Sequence, residues 1–337
     1  MPRIFLVCAL AACYVPITTF TPDVTDGPPA TDGPPATDGP PATSCASTEP
    51  DPSSPCCEGE TYARSYDVSS DLMYSDSSFV ATLSDFRLDK YEVTVGRFRQ
   101  FVEAGLGTQA NPPLVGAGAH PNIAGSGWDA GWNGILVTDM AALVAVVKCN
   151  ATYQTWTDVL GANESRPMNC INWYEAMAFC AWDGGFMPTE AEWNYAATGG
   201  SEQRAYPWSS PPEARDIDYT RASHGDGAGD CYGAVPTLHA CTSMDLFDVG
   251  TKPAGNGRWG QSDLGGNLWE WTLDWYASPY PLNPCPDCAN LTPALSRVVR
   301  GGGFGSEAAV VRAGFRYGGN TPGGRFYDVG VRCARTP

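Results

Sequence analysis

The chain is predicted to fold as an α+β domain, loop-rich, with few short strands and several packed helices, preceded by a disordered tether. Three observations predict it. Glycine (38) and proline (29) are abundant while only 17% of residues are charged, a balance that favours turns over long regular elements. Four segments open on a capping side chain followed by a short apolar run, the mark of helix starts. Residues 25–42 repeat Thr-Asp-Gly-Pro-Pro-Ala three times, a composition that cannot bury a core and stays extended. With 337 residues, 43% of them hydrophobic, there is enough chain for one large domain besides this tail.

Taken in order, residues 1–13 read as an export leader: Arg3 is the positive end, Ile4 to Leu10 the apolar segment, and Leu10-Ala11-Ala12-Cys13 a lipobox that would leave Cys13 to be acylated. Residues 14–60 form the tether, and 61–337 the folded domain. Phe79 to Leu83 and Phe86 to Val93 alternate as strands do. Thr94 caps a helix that turns Val95, Phe98, Phe101 and Val102 to one face and stops at Gly105. Residues 106–138, rich in Gly, Pro and Trp, read as an ordered loop packed by Trp128 and Trp132, and Asp139 caps a second apolar helix ending near Cys149. Two capping boxes follow. Asn172-x-x-Glu175 opens a helix with Trp173, Ala176, Met177 and Cys180 inward, ending at Gly184; Thr189-x-x-Glu192 opens another, ending at Gly199-Gly200. Each box satisfies helix-end amides, so Glu175 and Glu192 are read as structural. Residues 201–260 read mostly as loop, and Arg297 to Cys333 as strands and turns closing the domain.

Charge and sulfur narrow the function. A formal net charge of -17 argues against nucleic acid, which is held through basic surface. No apolar run after the leader is long enough to span a bilayer, so membrane attachment would run through the lipid on Cys13 alone. Thirteen cysteines fit an oxidising compartment. Eleven of them follow Cys13, an odd number, so one is unpaired, capped or intermolecular. Proximity in sequence suggests Cys149–Cys170 and Cys231–Cys241, and Cys285-Pro-Asp-Cys288, in a proline-rich loop without β-α-β context, reads as a local disulfide. His120, His224 and His239 are too scattered for a zinc or iron site.

The stretch Asp263-Leu-Gly-Gly-Asn-Leu-Trp-Glu-Trp-Thr-Leu-Asp-Trp275 leaves two readings open. Glycines permit a tight turn that could aim the Asp263 carboxylate, the carbonyls near Gly266 and Leu268, and the Glu270 carboxylate at one point, an oxygen cage suited to calcium. The same residues also make a plain turn whose tryptophans are core and whose Glu270 caps a neighbour, and spacing alone favours this second reading.

These residues carry a resemblance. G-N-x-W-E-W followed by D-W-Y is similar to the signature of the formylglycine-generating enzyme, or sulfatase-modifying factor, family. Phe86-Arg-Leu-Asp-Lys-Tyr-Glu-Val-Thr94, Pro188-Thr-Glu-Ala-Glu-Trp-Asn-Tyr195, Arg300-Gly-Gly-Gly303 and Gly330-Val-Arg-Cys-Ala-Arg335 agree in order and spacing, over roughly residues 60 to 335. The resemblance implies a C-type-lectin-like fold, a structural calcium at Asp263, Gly266, Leu268 and Glu270, and a Cys180–Cys333 disulfide. It also implies a copper(I) site of two cysteines a few residues beyond the Gly-Gly of the last block. That pair is absent: Ser306 stands about where the first thiol would fall, Gly303 where a serine is usual, and no cysteine or methionine lies between Cys288 and Cys333. Copper(I) wants soft thiolate ligands, so the oxidase chemistry has lost its metal site.

Three functions follow from the resemblance. The first, preferred, is a calcium-stabilised ligand- or protein-binding module of the bacterial cell envelope, lipid-anchored in the periplasm or on the cell surface. The others are an oxidoreductase of the family with altered chemistry and a structural or assembly factor. Proteins of this fold that display a variable ligand site use the C-terminal stretch, so a protein, peptide or glycan ligand is expected in a cleft there. Trp269, Phe304, Arg316, Tyr317, Asn320, Arg325 and Tyr327 are its candidates. Arg312 and Phe315 are read as core, an ion-paired arginine and a buried ring.

Overall fold

A computed structural model describes Cys45, residues 53–69 and residues 71–337; the leader, Cys13 and the repeats lie outside the described residues. Four α-helices form where the caps stand: α1 (Val95–Glu103), α2 (Met140–Val146), α3 (Trp173–Trp182) and α4 (Glu190–Thr198). The Thr94 and Asp139 side chains accept the Arg97 and Ala142 amides, and both capping boxes close reciprocally. α4 ends on Gly199 in the left-handed region (φ 67°), where a side chain would be strained. α3 and α4 are buried almost all round, which makes them the centre of the molecule rather than surface helices.

Among the described residues, thirteen short strands complete the fold. A three-stranded sheet orders β1 (Cys56–Cys57), β4 (Phe86–Leu88) and β13 (Ala334–Arg335). A second joins β2 (Thr61–Ala63), β3 (Val80–Thr82) and β9 (Cys285–Pro286), and a third β5 (His224–Gly225), β6 (Asp230–Tyr232) and β7 (His239–Ala240). The largest runs β11 (Tyr317–Asn320), β10 (Arg297–Arg300), β8 (Trp269–Trp275), β12 (Val329–Gly330). In it β10 lies antiparallel to β8, Val299 opposite Trp271, and β12 parallel to it, Val329 opposite Trp269.

The expected strand from Phe86 stops at Leu88 rather than running to Val93. Asp89 leaves the ladder to hold Arg97 and Arg335, and the Glu92 side chain turns toward the Asn267-Leu268 turn. The Trp269–Trp275 stretch, read as a turn with core tryptophans, is the longest strand. Apolar Trp269, Trp271, Leu273 and Trp275 alternate with polar Glu270, Thr272 and Asp274, the period of a strand, and its first six residues are buried on both faces. Trp173 of α3 donates its indole N–H to the Thr272 carbonyl, which seats that helix on β8. Trp132, from the loop before α2, packs edge-on against Trp128 and Trp173.

Candidate functional site

Asp263, Gly266, Leu268 and Glu270 do share the turn that feeds β8. Asp263 (φ 58°), Gly266 (φ 85°) and Asn267 (φ 63°) are all left-handed, and a Cβ on Gly266 would sit 2.2 Å from the Ser223 carbonyl oxygen. The carboxylate of Glu270, however, is already taken. Arg332 donates to both of its oxygens at 2.6 and 2.7 Å, Trp193 adds an indole N–H at 2.8 Å, and neither Glu270 nor Arg332 is exposed. The rest of the guanidinium ends on the carbonyls of Asp89, Lys90 and Ser262. Asp263 accepts the Gly250 amide, and Glu92 accepts the Leu268 amide and the Asn267 side chain. Of the expected ligand set, Glu270 is committed to Arg332, one positive charge against three buried carboxylates. Glu92 and Asp263 have no lysine or arginine partner among the described residues, and burial raises both carboxyls. Calcium at this turn is a proposal, and no function is routed through it.

The cysteines pair as Cys45–Cys56, Cys149–Cys170, Cys180–Cys333, Cys231–Cys241 and Cys285–Cys288, with Cα separations of 5.0 to 5.8 Å. Cys57, buried, is the free thiol among the described residues. Cys180–Cys333 fastens α3 to the chain just before β13. The atoms of Asp89, Asp183 and Cys333 lie close enough to suggest a metal, but Cys333 is in the disulfide and both carboxylates hold Arg97 and Arg335.

A cleft of 420 Å³ opens over the turn that follows the Gly301–Gly303 run. Its floor is residues 303–307, where the Ser306 amide donates to the Gly303 carbonyl and the Ser306 hydroxyl accepts the Gly303 amide at 3.0 Å. The β5–β6 loop forms one wall, tied to the floor through Gly225 to Ser306 and Gly227 to Gly305 main-chain bonds. The other wall is aromatic. Tyr153 stacks on Tyr327 with ring centres 4.9 Å apart and leans on Phe304 at 5.3 Å, while its hydroxyl donates to the Cys241 carbonyl. Cys241, in its disulfide with Cys231, lines the cleft, and Glu307, Val310 and Asp328 complete it. Burial raises the Asp328 carboxyl above the usual range, and no cation counters the shift.

Of the expected cleft residues, Phe304 and Tyr327 line it, as do Gly303 and Ser306. Trp269 is buried beneath Phe315 and Tyr317, and Asn320 is buried in β11 opposite Arg297. Tyr317 is exposed but lies on Trp269, outside the cleft. The arginines are corrected as ligand anchors. Arg316 grips both oxygens of Glu190 and Arg325 pairs with Glu175, while Arg312 is buried and paired with Asp67 and Asp71, as the ion-paired core reading expected. The physical reason is that buried carboxylates at helix starts need counter-ions, and guanidinium, with five donors in a plane, is the group that satisfies them. Tyr153, Gly229 and Asp328 carry no sequence signal of their own. Asp328 stands one residue past the expected stretch, and Tyr153 arrives from the loop after α2.

The family profile described as "Sulfatase-modifying factor enzyme 1-like domain" matches residues 60–337. The formylglycine-generating enzyme of Mus musculus is 27% identical over 277 residues, covering 75% of this chain and 66% of that protein, so the chain spans about two thirds of its length. A Bos taurus protein named "Inactive C-alpha-formylglycine-generating enzyme 2" is 31% identical over 175 residues, half of each chain. Among solved structures, PvdO from Pseudomonas aeruginosa superposes with a TM-score of 0.54 at 19% identity, covering 84% of this chain and 93% of that one, which is a likeness of fold.

Proposed function

This chain belongs to the sulfatase-modifying factor enzyme 1-like family, and from that premise we propose that it is an exported, lipid-anchored ligand-binding member without the family's cysteine-dependent oxidase activity. One observation carries the reading. The cleft lies on the 303–307 turn, where the resemblance puts the copper thiols, and there it offers a serine hydroxyl bonded to its own turn and a closed disulfide. Neither group is a thiolate, and copper(I) needs thiolates. A family relative that is named inactive supports the same reading. The ligand, a protein, peptide or glycan, would enter at Tyr327 and rest on the turn. Five disulfides support an oxidising compartment, and the anchor on Cys13 remains part of the proposal.

A second reading, an oxidoreductase with altered chemistry, is favoured by the same disulfide: reduced, Cys241 would present a thiol to the cleft, with Cys231 buried behind it against the Phe304 carbonyl. Copper(I) affinity and oxygen uptake with a cysteine-containing sulfatase peptide separate the two. The binding reading expects no peptide-dependent oxygen uptake in the oxidised or reduced protein, and the same copper affinity in the wild type and a Cys241→Ser variant. Uptake that disappears in Cys241→Ser would establish the second reading instead.

A further inference from the structure

We propose that the cleft binds an organic cation, an amine or guanidinium group carried by a peptide side chain or by a small molecule. The inference rests on the binding reading above and adds the ligand's charge. Its basis is how this molecule distributes its ions. Several buried carboxylates elsewhere have arginine partners: Glu190 with Arg300 and Arg316, Glu270 with Arg332, Asp67 with Arg312. Others, such as Asp274 and Glu92, are held by main-chain and side-chain amides. The two carboxylates of the cleft have no cationic partner. Glu307 is exposed, Asp328 is half-buried, and neither pairs with a lysine or arginine among the described residues. No lysine, arginine or histidine lines the cleft at all.

The remaining lining suits the same guest. Tyr327 is still 38% exposed after stacking on Tyr153, and ring faces attract cations through their quadrupole. Gly227, Gly229, Gly303 and Gly305 let main chain approach a ligand without side chains in the way. A volume of 420 Å³ admits one long side chain or a small amine, near the lower end for ligand pockets. An anion would meet two carboxylates and only hydroxyl donors among the side chains, Ser306 and Tyr327. The net charge of -17 draws cations from a distance as well.

The test is a calorimetric and NMR titration of the disulfide-intact chain with Nα-acetyl-lysine methylamide, Nα-acetyl-arginine methylamide and butylamine. Nα-acetyl-norleucine methylamide serves as the neutral isostere and Nα-acetyl-glutamate methylamide as the anion. The cations should bind about tenfold or more tightly than norleucine, weaken with salt, and weaken about fivefold in Asp328→Asn and more modestly in Glu307→Gln, the exposed position where folding is not at stake. Lysine or arginine derivatives outranking butylamine would point to a peptide source, and the reverse to a free amine. Norleucine binding as well as lysine, or cation binding indifferent to both variants, overturns the charge assignment while leaving a binding cleft. If no probe of any charge perturbs the cleft residues, the binding reading falls with it.

Discussion

The buried start of β8 and the open cleft are made of similar parts, aromatic rings and carboxylates around a glycine turn, yet they balance charge in opposite ways. At β8 the Glu270 carboxylate is closed by Arg332 and Trp193 with no exposure on either side. In the cleft, Asp328 and Glu307 face a cavity with no internal partner. The difference teaches where this protein spends its few cations. Lys and Arg number 20 against 37 Asp and Glu, and arginines such as Arg300, Arg312 and Arg332 are taken up by buried carboxylates. The carboxylates left over at a concave surface are the ones the proposed organic cation would meet.

The comparison breaks most readily at Glu270. Replacing it with Gln leaves Arg332 buried and uncompensated, and should cost about 3 to 5 kcal/mol in denaturant unfolding. Glu307→Gln in the cleft should stay within about 0.5 kcal/mol. Equal losses would mean that the two carboxylates are not differently employed.

The disulfides sharpen the same contrast. Cys180–Cys333 closes a separation of 153 residues and Cys231–Cys241 one of 10. Chain entropy therefore expects removal of the first by paired serines to cost about 5 kcal/mol and of the second about 3. A greater loss from the cleft pair would show that it braces more than its own loop.

The smallest effect concerns the ion. With Arg332 already closing the Glu270 carboxylate, dialysis against EDTA should move the melting temperature by less than about 1 °C. A fall of several degrees would restore a cation to the Asp263 turn and put Arg332 elsewhere.

The helices were legible because their signals are local: Thr94, Asp139, Asn172 and Thr189 each bond the amide three residues on. The family motifs likewise pointed to the right fold. What could not be read were partnerships across the chain. Arg332 reaches Glu270 over 62 residues, Arg316 reaches Glu190 over 126, and Arg325 reaches Glu175 over 150. A cage of oxygens and an ion pair ask for the same glutamate, and only the fold reveals which partner arrives. The cleft was half legible for the same reason. Phe304 and Tyr327 lie in the expected stretch, while Tyr153 and the β5–β6 loop come from segments with no mark of their own.

Cys57 is wholly enclosed and bonded by the Gln261 amide, and burial pushes its thiol far above the ordinary range, so a maleimide in solution cannot react with it while the core is shut. Its alkylation would report each opening of the interior, a clock for local breathing that the protein carries without any added label.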